Sequence, residues 1–507
     1  MSRAILVPFE EYQKARITFV QTVADLATRP NNIETLFSAG VMSLLRPLLS
    51  DSVSSIQQSA ALAIGRLANH SEPLAYSVIE NNIINQLIES LSNQSRFFKK
   101  AACFVLRAVA KHSPHLADEV VKRGALEPLV KCLEEFDPSV KESAAWALGY
   151  IAKHNASLAH QVVEARAIEA LINCLTDPEI SLKQAAAQTL SYICQHTEQL
   201  AQPVAENGLE TIISLLAYND VKLKRNVCML LGNITQHSID LADQLMLKLG
   251  STPQKLLNCL KDYDDLVKKN AAYCVCEIIN KSIKHAKNIV DAGGAAILVE
   301  YITNMKGDPR LRGILSLGYV ASYNADLAFQ VIRAKAINQL RDSLQNEVHQ
   351  HIKSAAAYAL GHIGKHSSLH ARDVAESNVL ALLLYYYMNP DSSDDLKDKC
   401  KKALKNIINV CEELRTLEPL IQVAPEKILK HILNRYVKHL EGNKNELRQF
   451  LQNGGLQKLQ EIKLKVSEPL REKIDNIIEY YPPYIRKLYS PDYAASLLQK
   501  IDSYNAD

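Results

Sequence analysis

The residues whose spacing first invites a chemical reading are histidines. His70, His112, His154, His196 and His237 follow one another at steps of 42, 42, 42 and 41 residues, and His366 falls on the continuation of the series. Histidine is the commonest metal ligand and general base of proteins, so a zinc centre or an acid–base site is the chemistry such a set could support. The spacing argues against both. Ligands of one zinc lie about 2 Å from the ion. Side chains that recur once per structural repeat are about 8–10 Å apart, the distance between packed helices. Each of these histidines ends an apolar helical pattern, where a cation or donor complements the helix dipole. The ten cysteines are scattered through apolar stretches such as Leu129-Val130-Lys131-Cys132-Leu133, which reads as buried free thiols in a reducing compartment. The closest pair, Cys274 and Cys276, takes different faces of a helix, so a metal or redox role is not expected. The G-x-x-x-x-G-K-[ST], G-x-S-x-G and H-E-x-x-H motifs are absent. The expectation is a chain that is not an enzyme, with no catalytic residues, no metal and no cofactor.

Three other sets of residues point to contact surfaces. Taking the glycine of segments such as Ala147-Leu148-Gly149 as reference, the residues seven before, three before and one after share a helix face. That stripe carries Phe104, Trp146, Tyr150, Tyr192, Tyr273, Tyr319 and Tyr358, in a chain that is only 6% aromatic. Aromatics with an accessible polar end suit a protein-binding groove, and they suit packing between repeats as well. One residue earlier runs a basic ladder of Lys99, Lys141, Lys183, Lys224, Lys268, Arg310 and Lys353. A cation near a helix N-terminus opposes the dipole, so something must offset each one. Aliphatic stems packed between repeats with acids such as Asp137, Asp177, Asp220 and Asp264 would do so, and so would an acidic partner. The third set is C-terminal, where Tyr489, Tyr493, Leu497, Leu498 and Tyr504 are too apolar for a solvated tail and form a candidate contact.

The elements that must position these residues repeat. Ala145-Trp146-Ala147-Leu148-Gly149-Tyr150-Ile151-Ala152-Lys153-His154 is echoed by Ala357-Tyr358-Ala359-Leu360-Gly361-His362-Ile363-Gly364-Lys365-His366. A period of about 42 residues is that of armadillo-type solenoids. Each repeat reads as three helices, for example Ser157–Val163, Ala167–Leu175 and about Ile180 to about His196. The predicted fold is all-α, an armadillo-repeat right-handed superhelical solenoid of about ten three-helix units. A corner after the first helix is marked by Gly40, Asn82, Gly124, Gly208, Gly250, Gly293 and Asn378. Arg166 and Lys335 occupy that position in two repeats, so those two corners are expected to be built differently.

Composition agrees. The 507 residues include only 17 Gly and 18 Pro, a scarcity of breakers that favours helices. Net charge is +3 on 58 basic and 55 acidic residues, which does not point to nucleic acid. No window approaches the roughly 20 apolar residues of a membrane span, and no targeting signal is read at the start. The predicted organisation is N-terminal capping helices and a first partial repeat over 1–40, repeats over 41–410, degenerate repeats over 411–480 and a Tyr/Pro-rich tail or cap over 481–507.

The opening Phe9-Glu10-Glu11-Tyr12-Gln13-Lys14-Ala15-Arg16, the run Ala27-Thr28-Arg29-Pro30-Asn31-Asn32, the segment from Ala144 to Asn155 and the tail Tyr489-Ser490-Pro491-Asp492-Tyr493 resemble the sperm-associated antigen six family. These are the paralysed-flagella armadillo proteins of the ciliary central apparatus. The resemblance runs essentially end to end. It implies a structural role on the C1 microtubule of the axonemal central pair, in cilia and flagella, sperm included. The implied partners are tubulin and microtubules, other central-apparatus proteins and further copies of the chain, with no nucleic acid and no membrane. The competing class is an armadillo adaptor in signalling, trafficking or nuclear import. Importin-alpha-like grooves carry a repeated Trp/Asn pair four residues apart; here Trp146 is the only Trp, and Tyr150 stands four residues on.

Overall fold

Each repeat begins where a small polar residue follows the histidine position. Asn155 accepts the Leu158 N–H at 2.9 Å through Oδ1, and Asn324 accepts that of Leu327 at 2.8 Å. These N-caps start the first helices Ala156–Glu164 and Ala325–Arg333. A corner residue then turns the chain into a second helix, such as Ala167–Cys174 or Ala336–Asn346. A short loop follows, in which Asp137 or Asp220 caps the third and longest helix, Pro138–Ala152 or Val221–Thr235. We call these third helices core helices.

The structure is a computed structural model that describes residues 3–91, 95–250, 253–490, 493, 497–499 and 501. Among the described residues every regular element is helical and there is no strand. The chain divides into two compact bodies, 1–278 and 279–507. In the first, core helices Ser54–His70, Arg96–Ala110, Pro138–Ala152, Ile180–Cys194 and Val221–Thr235 pack in sequence order. In the second, Arg310–Tyr323, Gln350–Ile363 and Asp394–Val410 do the same. A degenerate repeat follows, with helices Lys444–Gln452, Gly455–Lys463 and Glu468–Glu479. Beyond it Tyr481 is buried and donates its hydroxyl to Leu447 O at 2.9 Å, before a last short helix, Pro483–Leu488.

Two expectations about corners are corrected. Arg166 and Lys335 adopt the same left-handed conformation as the glycines, each at φ +63°, so those corners are built like the others. The geometry is set by the flanking helices, which impose a strain of order 1 kcal/mol on a residue with a Cβ. Gly208, by contrast, makes no corner: the helix Glu198–Ser214 runs straight through it. A Cβ there would meet Ile172 Cδ1 at 3.2 Å, so the small residue serves close packing instead.

The repeated Leu-Gly pair explains how core helices stack. Leu148, Leu231, Leu317 and Leu360 are fully buried. The glycine beside the leucine is where the next core helix touches. A Cβ on Gly65 would lie 2.5 Å from the Phe104 ring, one on Gly232 at 2.5 Å from the Tyr273 ring, and one on Gly361 at 2.7 Å from the Ala403 backbone. Rings can yield and backbone cannot. Gly361→Ala should therefore lose about 1–3 kcal/mol despite alanine's higher helix propensity, read as a lower urea midpoint.

Candidate functional site

The histidines form a ladder between repeats. The ring Nε2–H of His112 donates to Ala68 O at 2.7 Å, His154 to Ala110 O at 2.6 Å, His196 to Ala152 O at 2.8 Å and His237 to Cys194 O at 2.7 Å. In the second body His366 donates to Ala321 O at 2.6 Å. Each acceptor is a C-terminal carbonyl of the preceding core helix, a group the helix itself leaves without a partner. The expected role as donor at a helix end is therefore played across the repeat boundary, towards the preceding core helix. Burial lowers the affinity of His112 and His366 for a second proton, which keeps them neutral donors.

The basic ladder sits at the other end of the core helices, and each member has a partner within the chain. Lys99 pairs with Glu135 at 2.5 Å, Lys141 with Asp177 at 3.1 Å and Lys224 with Asp262 at 2.8 Å, all reaching forward to the loop of the next repeat. Arg310 does the same to Asp342 and Glu347, both at 3.0 Å. Lys183 is buried and donates to Leu175 O, Lys268 pairs with Asp265, and Lys353 donates to the Tyr386 hydroxyl. Of the acids expected as counter-charges, Asp177 takes that place. Asp137, Asp220 and Asp264 instead engage Arg96, Gln184 and Arg225. The Arg225 guanidinium holds the Asp264 carboxyl down at about 2.

The aromatic stripe is half-buried along its whole length. Phe104, Tyr273 and Tyr358 lie against the glycine of the preceding core helix with one ring face. Trp146 and Tyr150 have ring centroids 6.2 Å apart, Tyr150 and Tyr192 6.4 Å, and Tyr319 and Tyr358 6.1 Å. The stripe lines open depressions. One of about 520 Å³ in the first body is bordered by Leu62, Phe104 and Trp146, and one of about 320 Å³ in the second by Leu315, Tyr319 and Tyr358. Sequence reasoning missed Arg107, which also borders the first depression. The signal was available, because Arg107 stands in the column that holds Gly65, Gly149, Gly232, Gly318 and Gly361 in other repeats. In the tail Tyr489 and Tyr493 are half-buried while Leu497 and Leu498 are exposed. Tyr504 lies outside the described residues.

Comparison with known proteins adds identity to this geometry. The Armadillo/beta-catenin-like repeat family matches residues 113–153, and the HEAT-like repeat family matches 138–193. A solved engineered protein superposes with a TM-score of 0.69 at 21% identity, covering 87% of this chain and 98% of its own, which is a likeness of fold. Sperm-associated antigen 6 of Mus musculus is 51% identical over 502 residues, 99% of each chain. The chain belongs to the sperm-associated antigen 6 family. The Homo sapiens protein of that name is 50% identical over 99% of this chain and 98% of its own.

In this member of the sperm-associated antigen 6 family the repeats make an armadillo solenoid, a fold suited to structural or adaptor work through protein contacts. All ten cysteines are buried, and burial raises Cys174 to about 11 and Cys400 to about 12, so those two thiols stay protonated. Among the described residues no group of His, Cys, Asp or Glu could hold a metal, and no helix is long and apolar enough to cross a membrane.

Acid sensitivity follows from the groove. Burial first, then Lys365, His366 and Lys399, lowers His362 to about 4, and its Nδ1 lies 2.9 Å from Lys365 Nζ, so the neutral ring accepts from the ammonium. An unfolded histidine titrates near 6.5. Between about pH 6.5 and 4 the unfolded chain binds a proton the folded chain refuses, so stability falls as pH falls through that window. The urea midpoint should drop from pH 7 to pH 5, and less in His362→Gln.

Proposed function

We propose that this chain is a non-enzymatic structural protein of the axonemal central apparatus, on the C1 microtubule, where it scaffolds and stabilises the central pair for ciliary and flagellar motility, including that of sperm. The observation that carries this reading is identity of about one half with proteins named sperm-associated antigen 6, over 502 residues or 99% of this chain. The repeat architecture supports it, since stacked repeats offer long contact surfaces and no enclosed substrate cavity. The partners of this reading are tubulin, other central-apparatus proteins and further copies of the chain. The half-buried stripe from Phe104 through Trp146, Tyr150, Tyr192, Tyr273 and Tyr319 to Tyr358 is its contact groove. Tyr489, Tyr493, Leu497 and Leu498 supply a contact at the C-terminal end. The basic ladder serves the same role from inside by holding neighbouring repeats in register through the pairs described above.

Localisation tests the reading directly. The tagged chain in motile cilia should appear by cryo-electron tomography on one of the two central microtubules, at a regular axial repeat. Density confined to the outer doublets, or a diffuse signal outside the axoneme, would overturn it.

A further inference from the structure

Salt bridges compensate Lys99, Lys141, Lys224, Lys268 and Arg310 of the basic ladder, and a different set of cations on the groove side is left without counter-charge. Arg66, Lys100, Arg107, Lys111 and Lys153 all lie along the groove side of the first body, and among the described residues none has a carboxylate within ion-pair distance. Arg66 donates to Ala24 O, and Lys111 to Asn69 O at 2.6 Å and Asn69 Oδ1 at 2.7 Å, which satisfies hydrogen bonds but leaves the charge. The Arg107 guanidinium lies over two ring faces, 5.3 Å from the Phe104 centroid and 5.8 Å from that of Tyr150, and its Nε is buried without an acceptor. Lys153 Nζ lies 5.8 Å from the Tyr150 ring and 5.5 Å from the Tyr192 ring. Rings hold these cations by their quadrupoles without neutralising them. Lys100 is exposed.

The cations border a cavity of the right kind. The depression of about 520 Å³ is lined by Arg66, Lys100 and Arg107 against one carboxylate, Glu142. Its counterpart in the second body carries one lysine, Lys399, against one aspartate, Asp395. The difference traces to Arg107 standing where other repeats have glycine. At Gly65, Gly232 and Gly318 an aromatic ring of the next core helix closes in, as Phe104 does on Gly65. Trp146, the residue equivalent to Phe104 in the next repeat, borders the open depression.

The geometry points to an acidic, extended segment of a partner protein as the ligand of this part of the groove, its carboxylates seated on Arg66, Lys100, Arg107 and Lys153. This assignment rests on the groove being a contact surface, as proposed above, and adds the chemistry of what it contacts. Lys100 and Arg107 stand seven residues apart on one core helix, about 10 Å along its axis. Neighbouring core helices lie about 8–10 Å apart, so the cations are separated by about three residues of extended chain and acidic side chains at about every third position would meet them. A single-stranded nucleic acid would also carry negative charge, but its bases need free aromatic faces. Here Arg107 and Lys153 already cover those of Tyr150 and Tyr192.

The test is fluorescence anisotropy of the full chain with a labelled oligoglutamate peptide, beside an oligoglutamine peptide and an oligothymidine. The oligoglutamate should bind tightest, with affinity falling as salt rises. Lys100→Gln with Lys153→Gln, both away from the packed core, should weaken it about tenfold or more, and Arg107→Gln should do so with a thermal midpoint that reports whether the chain still folds. Oligoglutamate binding no tighter than oligoglutamine, oligothymidine binding tightest, or full affinity in the Lys100/Lys153 variant would each overturn the assignment. The axonemal localisation is a separate measurement, so failure here leaves that reading standing.

Discussion

The last carbonyls of an α-helix have no partner in their own helix, and in this chain the next repeat supplies one. His112, His154, His196 and His237 each place a ring N–H on the end of the preceding core helix. Leaving a buried carbonyl unpaired costs about 1–3 kcal/mol, so no repeat of this series is complete without its neighbour. The same residue position is followed by the N-cap of the next short helix, as in His154-Asn155, so one dipeptide ends one layer and begins another.

The rest of the packing follows from having that fixed point. At the opposite end of the core helices Lys99, Lys141 and Lys224 reach forward to acids in the following loop. Between the two ends a glycine lets the next core helix approach, as Gly361 does for Ala403. Three contacts along one helix, at its start, middle and end, fix both distance and rotation between neighbours. What they leave uncommitted is one half-exposed face, and that is where the aromatic stripe lies.

Charge is distributed by the same logic. A net charge of +3 says little about partners, and most basic residues of the ladder are spent inside the chain. At Arg107 the repeat pattern is broken, and at Arg107 and Lys153 an aromatic ring takes the place of a carboxylate, so positive charge stays free there. A departure from the consensus thus marks a candidate contact more sharply than the consensus itself does. The exposed leucines of the tail, Leu497 and Leu498, are a departure of the same kind at the other end of the chain.

The sequence by itself determined the period, the three-helix repeat and the buried Leu-Gly column, because these follow from local helical periodicity and from capping residues that act within a few positions. It also determined family membership, since identity of about one half runs over the whole chain. Only the tertiary structure decided what the recurring polar residues do. Side chains about 36 to 45 residues apart meet across a repeat boundary, and nothing in local spacing tells whether Lys141 reaches Asp177 or solvent. For the same reason the corner at Arg166 could not be read from its residue type. Its left-handed backbone is imposed by the two helices it joins, and at Gly208 the helix continues because no such constraint breaks it.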